Sequence, residues 1–365
     1  MNQLKQVKPA PTFAAHHRKS DGDWQSLADH LMGVAVLAKG FAAKVGLGQV
    51  GELLGLLHDL GKYSHAFQSY LKSATGALNQ DEDEDWVDAV SLKGKVDHST
   101  AGAQFVWHTL NDKAPSVSIT AQILALCVAS HHSGLIDCVA ADETRCGEDG
   151  FTKRMNKSMD KTHLDEARRS ADLCILKRCK DLLGEQSLTT DLESMLRRIA
   201  QQNDSTTGAG PEVIFQQFGL AVRLLFSCLI DADRIDTADF EHPRAAQYRP
   251  TGKYADWQAL IDRLELHLAN MRPSRPIDGL RGEISDHCRQ AATRPKGVYT
   301  LTVPTGGGKT LASLRFALHH IKGRKLDRVI YVIPFTSIID QNAQVVRSIL
   351  EIGRASCRER VCLAV

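Results

Sequence analysis

Long apolar runs are missing from this sequence of 365 residues, and so is a secretory leader. No stretch reaches the roughly 18 consecutive apolar residues that a membrane-spanning helix requires. The polar segment MNQLKQVKPAPTF has no apolar core of the signal-peptide kind. We therefore expect a soluble, cytoplasmic protein that makes no membrane contact.

Paired cysteines and a strong net charge are missing as well. The nine cysteines include no C-x-x-C pair and show no regular metal-binding spacing. We expect reduced thiols rather than disulfides or zinc sites. The formal net charge is only +2, so contact with nucleic acid would need a local basic patch instead of the field of the whole molecule.

The larger part of the chain, from about residue 24 to residue 240, carries apolar residues at helical spacing. Leu27, Leu31 and Val34 illustrate the pattern, and few runs are rich in β-branched residues. A period near 3.6 residues predicts amphipathic helices, so this part is expected to be mainly α-helical. Gly-containing, acidic or polar stretches predict loops at residues 75–97, 138–160 and 202–212.

Near residue 298 the period of the apolar residues changes. VYTLTVP predicts a buried strand, KTLASLRFALHHI a helix, RVIYVIPF a second strand and SIIDQNAQVVRSIL a second helix. This order is typical of a parallel βαβ unit with a phosphate site at the first strand-to-helix turn. The Pro-containing segment before it, with the helix-like stretch DWQALIDRLELHLANM, is interpreted as a connector.

A Gly-rich turn, PTGGGKT, joins the first predicted strand to its helix. Backbone N–H groups of such a turn wrap a β-phosphate, while Lys309 would reach the β- and γ-phosphates and Thr310 would hold Mg²⁺. The strict P-loop pattern fails at its first glycine, where Val303 stands. The shorter form resembles motif I of superfamily-2 helicases, and VIPFTSIIDQ, with Thr336 and Gln341, resembles their motif Ia.

The stretch LLGLLHDLGK contains an apolar helical run that ends on His58 and Asp59 and breaks at Gly61. An imidazole beside a carboxylate serves no purpose on a buried helix face, but a metal-dependent phosphoesterase needs both. Lys62 follows directly, and it either holds a substrate phosphate or caps the preceding helix.

An HD phosphohydrolase site draws its histidines and carboxylates from several helices, because two octahedral transition metals prefer mixed N and O ligands. Adjacent residues on a helix diverge by about 100°, so Asp59 suits a bridge between two metals. The adjacent pairs His16-His17 and His319-His320 are interpreted as chance neighbours. The helical part offers a complete set of candidate ligands: His30, His58, Asp59, His98, His131, His132 and one aspartate of DADRI, either Asp231 or Asp233.

The usual last motif of HD proteins favours Asp233 over Asp231. Taken in order, the motifs DHL, HDLGKYSHAFQSYL, DHS, SHHSG, DADRID and LTVPTGGGKTLASLRFALHH resemble the CRISPR-associated type I helicase-nuclease. In that family an N-terminal HD nuclease is fused to a superfamily-2 helicase. The resemblance covers residues 12 to 350.

This resemblance implies an HD endonuclease or exonuclease that cuts single-stranded DNA with two divalent transition metal ions (Mn, Fe, Co or Ni) in antiviral defence. A helicase that uses ATP and Mg²⁺ would act on a target opened by the Cascade surveillance complex. The resemblance assigns catalysis to His58, Asp59 and Lys62. It assigns metal binding to His30, His58, Asp59, His98, His131, His132 and Asp233, and ATP binding to Thr305, Gly306, Gly307, Gly308, Lys309 and Thr310.

The predicted fold is a mainly α HD-domain bundle followed by an incomplete α/β RecA-like (P-loop) lobe. Its predicted parts are an HD nuclease domain (1–240), a linker (241–277), the start of a first helicase lobe (278–350) and a non-native tail (351–365). The tail sequence EIGRASCRERV resembles a translated sequencing adaptor, so we expect the gene to be a fragment.

The chain departs from the helicase family because no D-E-x-H-type motif follows the Gly-rich turn. Helicase and ATPase activity are therefore expected to be lost. Two other functions stay open at this point. One is an HD nucleotide phosphohydrolase with an attached NTP-binding segment, and the other is a non-catalytic NTP-binding or scaffold protein.

Overall fold

The computed structural model describes residues 9–111, 114–140, 144, 146–205, 211–247, 255–333, 336–351 and 361–364. The chain divides into two compact units, Met1–Gln247 and Tyr248–Val365. Helices dominate both of them, and the described strands are short.

The first unit is a set of helices preceded by a β-hairpin whose two strands pair antiparallel. Short 3₁₀ turns at Ala43–Val45 and Leu60–Tyr63 flank the second helix. Its elements are β1 Ala14–Arg18, β2 Asp23–Ser26, α1 Leu27–Ala42, α2 Gly48–Leu57, α3 His65–Thr75, α4 Ala89–Leu92, α5 Ser99–Leu110, α6 Pro115–Ser130, α7 Gly150–Met155, α8 Met159–Thr162, α9 Leu164–Ser170, α10 Leu173–Gly184, α11 Gln186–Ser205, α12 Pro211–Glu241 and α13 Pro243–Ala246.

Two of the three predicted loops contain little regular structure. After α3 ends at Thr75, residues up to 97 hold only α4, and the described part of residues 138–160 holds α7 and the start of α8. The third predicted loop, residues 202–212, is wrong for its described residues, because 202–205 end α11 and 211–212 begin α12, while residues 206–210 lie outside the described residues.

Helix α1 shows how the apolar spacing becomes a buried face. Ser26 caps the helix, because its Oγ accepts the backbone N–H of Asp29 at 3.1 Å. Leu27, Leu31 and Val34 are fully buried, and this face contributes to the core of the first unit. Each such side chain stabilises the fold by roughly 1.5–3 kcal/mol relative to an exposed one.

The turn after α2 takes the shape that the sequence predicts. The helix ends at Leu57, and Asp59 leaves the helical conformation, with φ −112° and ψ 20°. Gly61 follows in a 3₁₀ turn, and its N–H donates to the carbonyl of His98 at 3.1 Å. A Cβ at position 61 would lie 2.3 Å from that oxygen, so only glycine lets the two segments approach. The predicted helix end at His58-Asp59 is confirmed.

Helix α12 is long and strongly apolar. By length and composition its segment Glu212–Glu241 could cross a membrane, a test that core helices also pass. In this structure Leu225, Leu229 and Ala232 are buried in the core of the first unit. One face of α12 is therefore a core face, and the expectation of no membrane contact stays a prediction.

The second unit combines four helices with one pair of parallel strands among its described residues. The register places Val329 opposite Val361. Its elements are α14 Trp257–Ala269, α15 Pro276–Ala291, α16 Lys309–Arg324, β3 Val329–Val332, α17 Thr336–Leu350 and β4 Val361–Ala364. Strand β4 comes from the tail predicted to be non-native, of which residues 352–360 lie outside the described residues. Backbone pairing is open to any sequence, so the origin of the tail stays a prediction.

The predicted buried strand over residues 298–304 is wrong. These residues adopt no regular secondary structure, and Val298 is 97% exposed. A strand needs backbone partners, and within the described part of the second unit β3 pairs only with β4. An apolar segment cannot supply that partner by itself. The other predicted strand is confirmed over Val329–Val332, and both predicted helices are confirmed as α16 and α17.

Part of the predicted linker belongs to the core of the second unit. Trp257, Leu260 and Leu264 on α14 are buried and pack with Leu314 and Leu318 of α16. This segment is amphipathic, which its sequence already indicated, but its apolar face has a partner within the same unit.

Candidate metal centre

All the metal ligands predicted from the sequence come together in the first unit. They form two groups, and within each group the possible ligand atoms lie within 4.8 Å of one another. Helices α1, α2, α5, α6 and α12 or the turns at their ends supply these residues. The first group is His30, His58 and Asp233, and the second group is Asp59, His98, His131 and His132.

In the first group, imidazole nitrogens face a carboxylate from α12. The Nε2 atoms of His30 and His58 lie 3.5 and 3.8 Å from Oδ1 of Asp233. They are also 3.2 Å from each other. Asp231, the alternative aspartate, is exposed and belongs to neither group. The geometry thus favours Asp233, as the HD pattern does.

The second group is centred on Asp59. Its Oδ1 lies 3.2 Å from Nε2 of His131 and 3.8 Å from Nε2 of both His98 and His132. His98 stands at the N-cap of α5 and His131 at the C-cap of α6. A helix C-terminus carries a partial negative charge, which favours a cation at this point.

Asp59 connects the two groups through its two oxygens. While Oδ1 faces the second group, Oδ2 lies 3.2 Å from Nε2 of His58 and 3.4 Å from Nε2 of His30. The two oxygens of Asp59 therefore face different groups, and its role as a bridge between two metals stays a prediction.

The other ring nitrogen of each of three histidines is tied to backbone. Nδ1 of His58 donates to the carbonyl of Gly55 at 2.8 Å, and Nδ1 of His131 donates to that of Val128 at 2.7 Å. Nδ1 of His98 lies 3.1 Å from the carbonyl of Val96. A carbonyl only accepts hydrogen bonds, so Nδ1 carries the proton. In the neutral ring Nε2 then keeps a lone pair that can bind a metal.

This donor set fits divalent cations. The Nε2 atoms of His98 and His132 lie 2.5 Å apart, and those of His30 and His58 lie 3.2 Å apart. In neutral rings protonated on Nδ1, these atoms would turn their lone pairs toward each other, and a cation among them would remove the repulsion. Nitrogen-rich shells suit transition metals better than Mg²⁺.

Burial and charge tune these groups for metal binding. Burial alone would raise the pKa of Asp59, but the Lys62 ammonium and the His58 imidazole lower it well below its usual value. Burial lowers the pKa of His131, and it lowers that of His98 to about 4. Both rings are neutral at neutral pH, as metal ligation requires. The side chain of His132 is 51% exposed, so the centre is open to solvent on its side.

Lys62 is buried beside the bridging carboxylate. Its Nζ lies 2.7 Å from Oδ2 of Asp59 and 5.4 Å from the centre of the Phe67 ring. The sequence left two roles open for Lys62, a substrate phosphate contact or a helix cap, and its contact with Asp59 is not a helix cap. The ammonium instead compensates the negative charge of Asp59.

Three residues at the centre were missed in the sequence. The ring of His16 on β1 lies 4.8 Å from that of His30, and its Nε2 is 3.3 Å from Oγ1 of Thr237. Burial and nearby Lys62 lower the pKa of His16 to about 3. Oδ2 of Asp236 lies 2.8 Å from Nδ1 of His30, and the side-chain amide of Gln25 donates to the same Oδ2 at 2.7 Å. Only the adjacent pair His16-His17 is visible as a sequence pattern, and its interpretation as chance neighbours is wrong for His16.

The Gly-rich turn of the second unit leads directly into α16. Gly306 and Gly308 have positive φ angles of 86° and 79°, which side chains disfavour. Lys309 is exposed at the first position of the helix, and Oγ1 of Thr310 donates to Asn342 at 3.1 Å. The predicted ATP-binding residues 305–310 thus lie in one turn at a helix N-terminus, where phosphate binds readily. Gln341 of the second helicase-like motif is exposed on α17.

Comparison with known proteins supports both halves of this description. The family described as Cas3, HD domain matches residues 14–198, and the DEAD/DEAH box helicase family matches residues 287–362. No curated protein is significantly similar to this chain. Asp233 lies beyond the first match, so its place in the centre rests on its geometry and on the DADRI motif rather than on this match.

The solved structures similar to this chain include two that share 16% sequence identity with it. The crystal structure of T. fusca Cas3-ADP has a TM-score of 0.41, with 98% of this chain and 44% of that chain covered. A crystal structure of a CRISPR-associated protein has a TM-score of 0.43, with 95% and 38% covered. The chain therefore spans less than half the length of either solved protein.

The family match covers half of the chain and includes six of the seven side chains of the two groups, all except Asp233. It also confirms the resemblance inferred from the order of the sequence motifs, and with it the predicted fold class. The chain belongs to the Cas3 HD-domain family and carries part of a DEAD/DEAH box helicase domain behind that domain.

Proposed function

We propose that the first unit is a metal-dependent nuclease that cuts single-stranded DNA in CRISPR-associated antiviral defence. The observation that carries the proposal is the carboxylate of Asp59, which turns one oxygen toward each of two donor groups. Membership of the Cas3 HD-domain family supports the same chemistry.

Two cations would be held by separate side chains that share Asp59. One would take His30, His58 and Asp233, and the other would take the histidines of α5 and α6. When bound, a pair of transition metals such as Mn, Fe, Co or Ni polarises a phosphodiester and activates water for attack.

The protein's own groups prepare this site. Backbone carbonyls hold three rings with Nε2 facing inward, and burial lowers the pKa of two of them, His98 and His131, which keeps these two neutral. Lys62 keeps the Asp59 carboxylate ionised and fixed through its contact with Oδ2. The exposed side of His132 is where a DNA backbone would enter.

For the second unit we propose that residues 305–310 bind the phosphates of ATP, with Thr310 near Mg²⁺. The 365-residue sequence contains no D-E-x-H-type motif to position water, so we propose that this chain does not turn over ATP. Single-stranded DNA, the Cascade surveillance complex and a cytoplasmic location belong to the same proposal, and membership of the Cas3 HD-domain family supports the first two.

The test compares two substrates for the purified chain reloaded with Mn²⁺ or Co²⁺. We expect cleavage of circular single-stranded DNA, and little phosphate release from deoxynucleoside triphosphates. Asp233→Asn should lower the cleavage strongly, whereas the matched control Asp231→Asn, on the same helix but exposed, should not. Intact circles together with rapid nucleotide hydrolysis would replace this proposal by an HD nucleotide phosphohydrolase.

A further inference from the structure

Four histidines of the metal centre have a described partner for Nδ1, and one of these four is held differently from the other three. His58, His98 and His131 direct Nδ1 at a backbone carbonyl two or three residues away. Nδ1 of His30 instead lies 2.8 Å from Oδ2 of Asp236, which is 206 residues away in sequence. His30 is fully buried, so this contact decides which of its ring nitrogens carries the proton.

Two features of the first unit fix the position of the Asp236 carboxylate, one on β2 and one on α1. The side-chain amide of Gln25, on β2, donates to the same Oδ2 at 2.7 Å. On α1, a Cβ at position 33 would lie only 2.0 Å from Oδ1 of Asp236. Glycine at position 33 therefore leaves the space that this carboxylate fills, one turn after His30.

Helix α12 contacts both ring nitrogens of His30. Asp233 and Asp236 are three residues apart on α12, so their side chains share a face. Oδ1 of Asp233 lies 3.5 Å from Nε2 of His30, while Oδ2 of Asp236 meets Nδ1 on the opposite side of the ring. Asp236 is thus directed away from the donor group and is not one of its ligands.

An ionised carboxylate only accepts hydrogen bonds, so Nδ1 of His30 must donate and Nε2 is left with its lone pair. A carboxylate partner also makes the ligating nitrogen more basic than a carbonyl does. We infer that Asp236 is a positioning residue of the metal centre, which fixes the tautomer and orientation of His30 and thereby the affinity of the first donor group. This inference rests on the proposed metal-dependent function.

The first measurement uses metal-free protein labelled with ¹⁵N-histidine and long-range ¹H–¹⁵N NMR, with His30 assigned from a His30→Gln variant. In the wild type we expect His30 protonated on Nδ1 only. In Asp236→Asn the amide can donate to Nδ1 as well as accept from it, so the single-tautomer signature should be lost. The control Asp231→Asn should keep it.

The second measurement is a calorimetric titration of the same proteins with Mn²⁺. Loss of an outer carboxylate partner lowers metal affinity by about 10- to 100-fold, and only one of two sites should change in Asp236→Asn. Gly33→Ala, which displaces the carboxylate without removing it, should have the same effect.

Unchanged tautomer and unchanged affinities in Asp236→Asn would overturn the inference and leave Asp236 as a packing contact between α1 and α12. If Asp236→Asn does not fold, Gly33→Ala decides by the same two measurements. A wild type that binds no Mn²⁺ would refute the proposed function, while the NMR result would still decide the role of Asp236.

Discussion

The metal centre of the first unit is built from buried side chains, whereas the Gly-rich turn of the second unit is built from a short stretch of backbone that is only partly buried. His30, His58 and Asp59 are at most 1% exposed, and Lys309 stands in solvent at the start of α16. A turn needs only its glycine conformations and the end of a helix to form a phosphate cradle. A cluster of buried imidazoles and carboxylates needs a surrounding core and hydrogen-bond partners that fix every ring.

The hydrophobic cores of the two units differ in how many elements of the chain contribute to them. The core of the first unit draws on residues from α1 through α12, whereas that of the second unit is a smaller cluster from α14, α16 and α17. A single change at the metal centre therefore disturbs groups brought together from distant parts of the sequence. A change in the Gly-rich turn affects a local structure.

The largest effect is expected from Asp59→Asn. The carboxylate faces both donor groups, so its loss should weaken both metal sites and lower single-stranded DNA cleavage by more than the roughly 10- to 100-fold that loss of an outer hydrogen-bond partner costs. Cleavage of circular DNA in the presence of Mn²⁺ measures the effect. Lys309→Ala, in the other unit, is the control and should cleave as the wild type does. Near-normal cleavage by Asp59→Asn would show that the reaction does not depend on this centre.

The second effect concerns the identity of the metal. After chelation, cleavage should return with Mn²⁺, Co²⁺ or Ni²⁺ and remain weak with Mg²⁺, because imidazole nitrogens outnumber carboxylates in both groups. Elemental analysis of the reloaded protein identifies the bound ion. Full activity in a sample that contains Mg²⁺ alone would contradict the assignment of histidine ligands.

Much of the metal centre could be predicted from the sequence, because the ligands lie in short motifs at helix ends. His58-Asp59 and His131-His132 each close an apolar helix, and His98 begins one. Asp236 and Gln25 carry no such signal. Their contacts join β2, α1 and α12, and no local pattern encodes a pairing between residues more than 200 positions apart.

The fold was predictable where local rules decide it, as in the capped helix α1 and the turn at Gly61. Residues 298–304 show where such rules fail. Their composition favours a strand, but a strand forms only when a neighbour satisfies its backbone, and the described part of the unit pairs β3 with β4 instead.

A third effect, confined to the second unit, is expected for Lys309→Ala. Charge-assisted hydrogen bonds contribute roughly 1.5–3 kcal/mol, so loss of the ammonium should weaken binding of a fluorescent ATP analogue by about 10- to 100-fold. Neither protein should release phosphate from ATP at a useful rate, with or without DNA. DNA-stimulated turnover that requires Lys309 would refute the proposed loss of ATPase activity.

The smallest effect concerns an ion pair that joins α14 to α16. Arg315 donates to both carboxylate oxygens of Glu265 at 2.7 and 2.6 Å, and these bonds lower the pKa of Glu265 from 4.5 to about 2. A depressed carboxyl pKa contributes stability above pH 4.5 that is lost as the pH falls toward 2. Because the carboxylate is partly exposed, we expect Glu265→Gln to cost only about 1 kcal/mol at neutral pH.

Hydrogen exchange of peptides from α14 and α16, followed by mass spectrometry, measures this local stability in the full chain. Glu265→Gln should exchange faster than the wild type at pH 6, and the difference should shrink as the pH is lowered through the range set by the shifted carboxyl. Glu283→Gln, an exposed glutamate on α15, is the matched control and should behave as the wild type does. A difference between Glu265→Gln and the wild type that stays constant with pH would show that packing, rather than the charge of Glu265, joins the two helices.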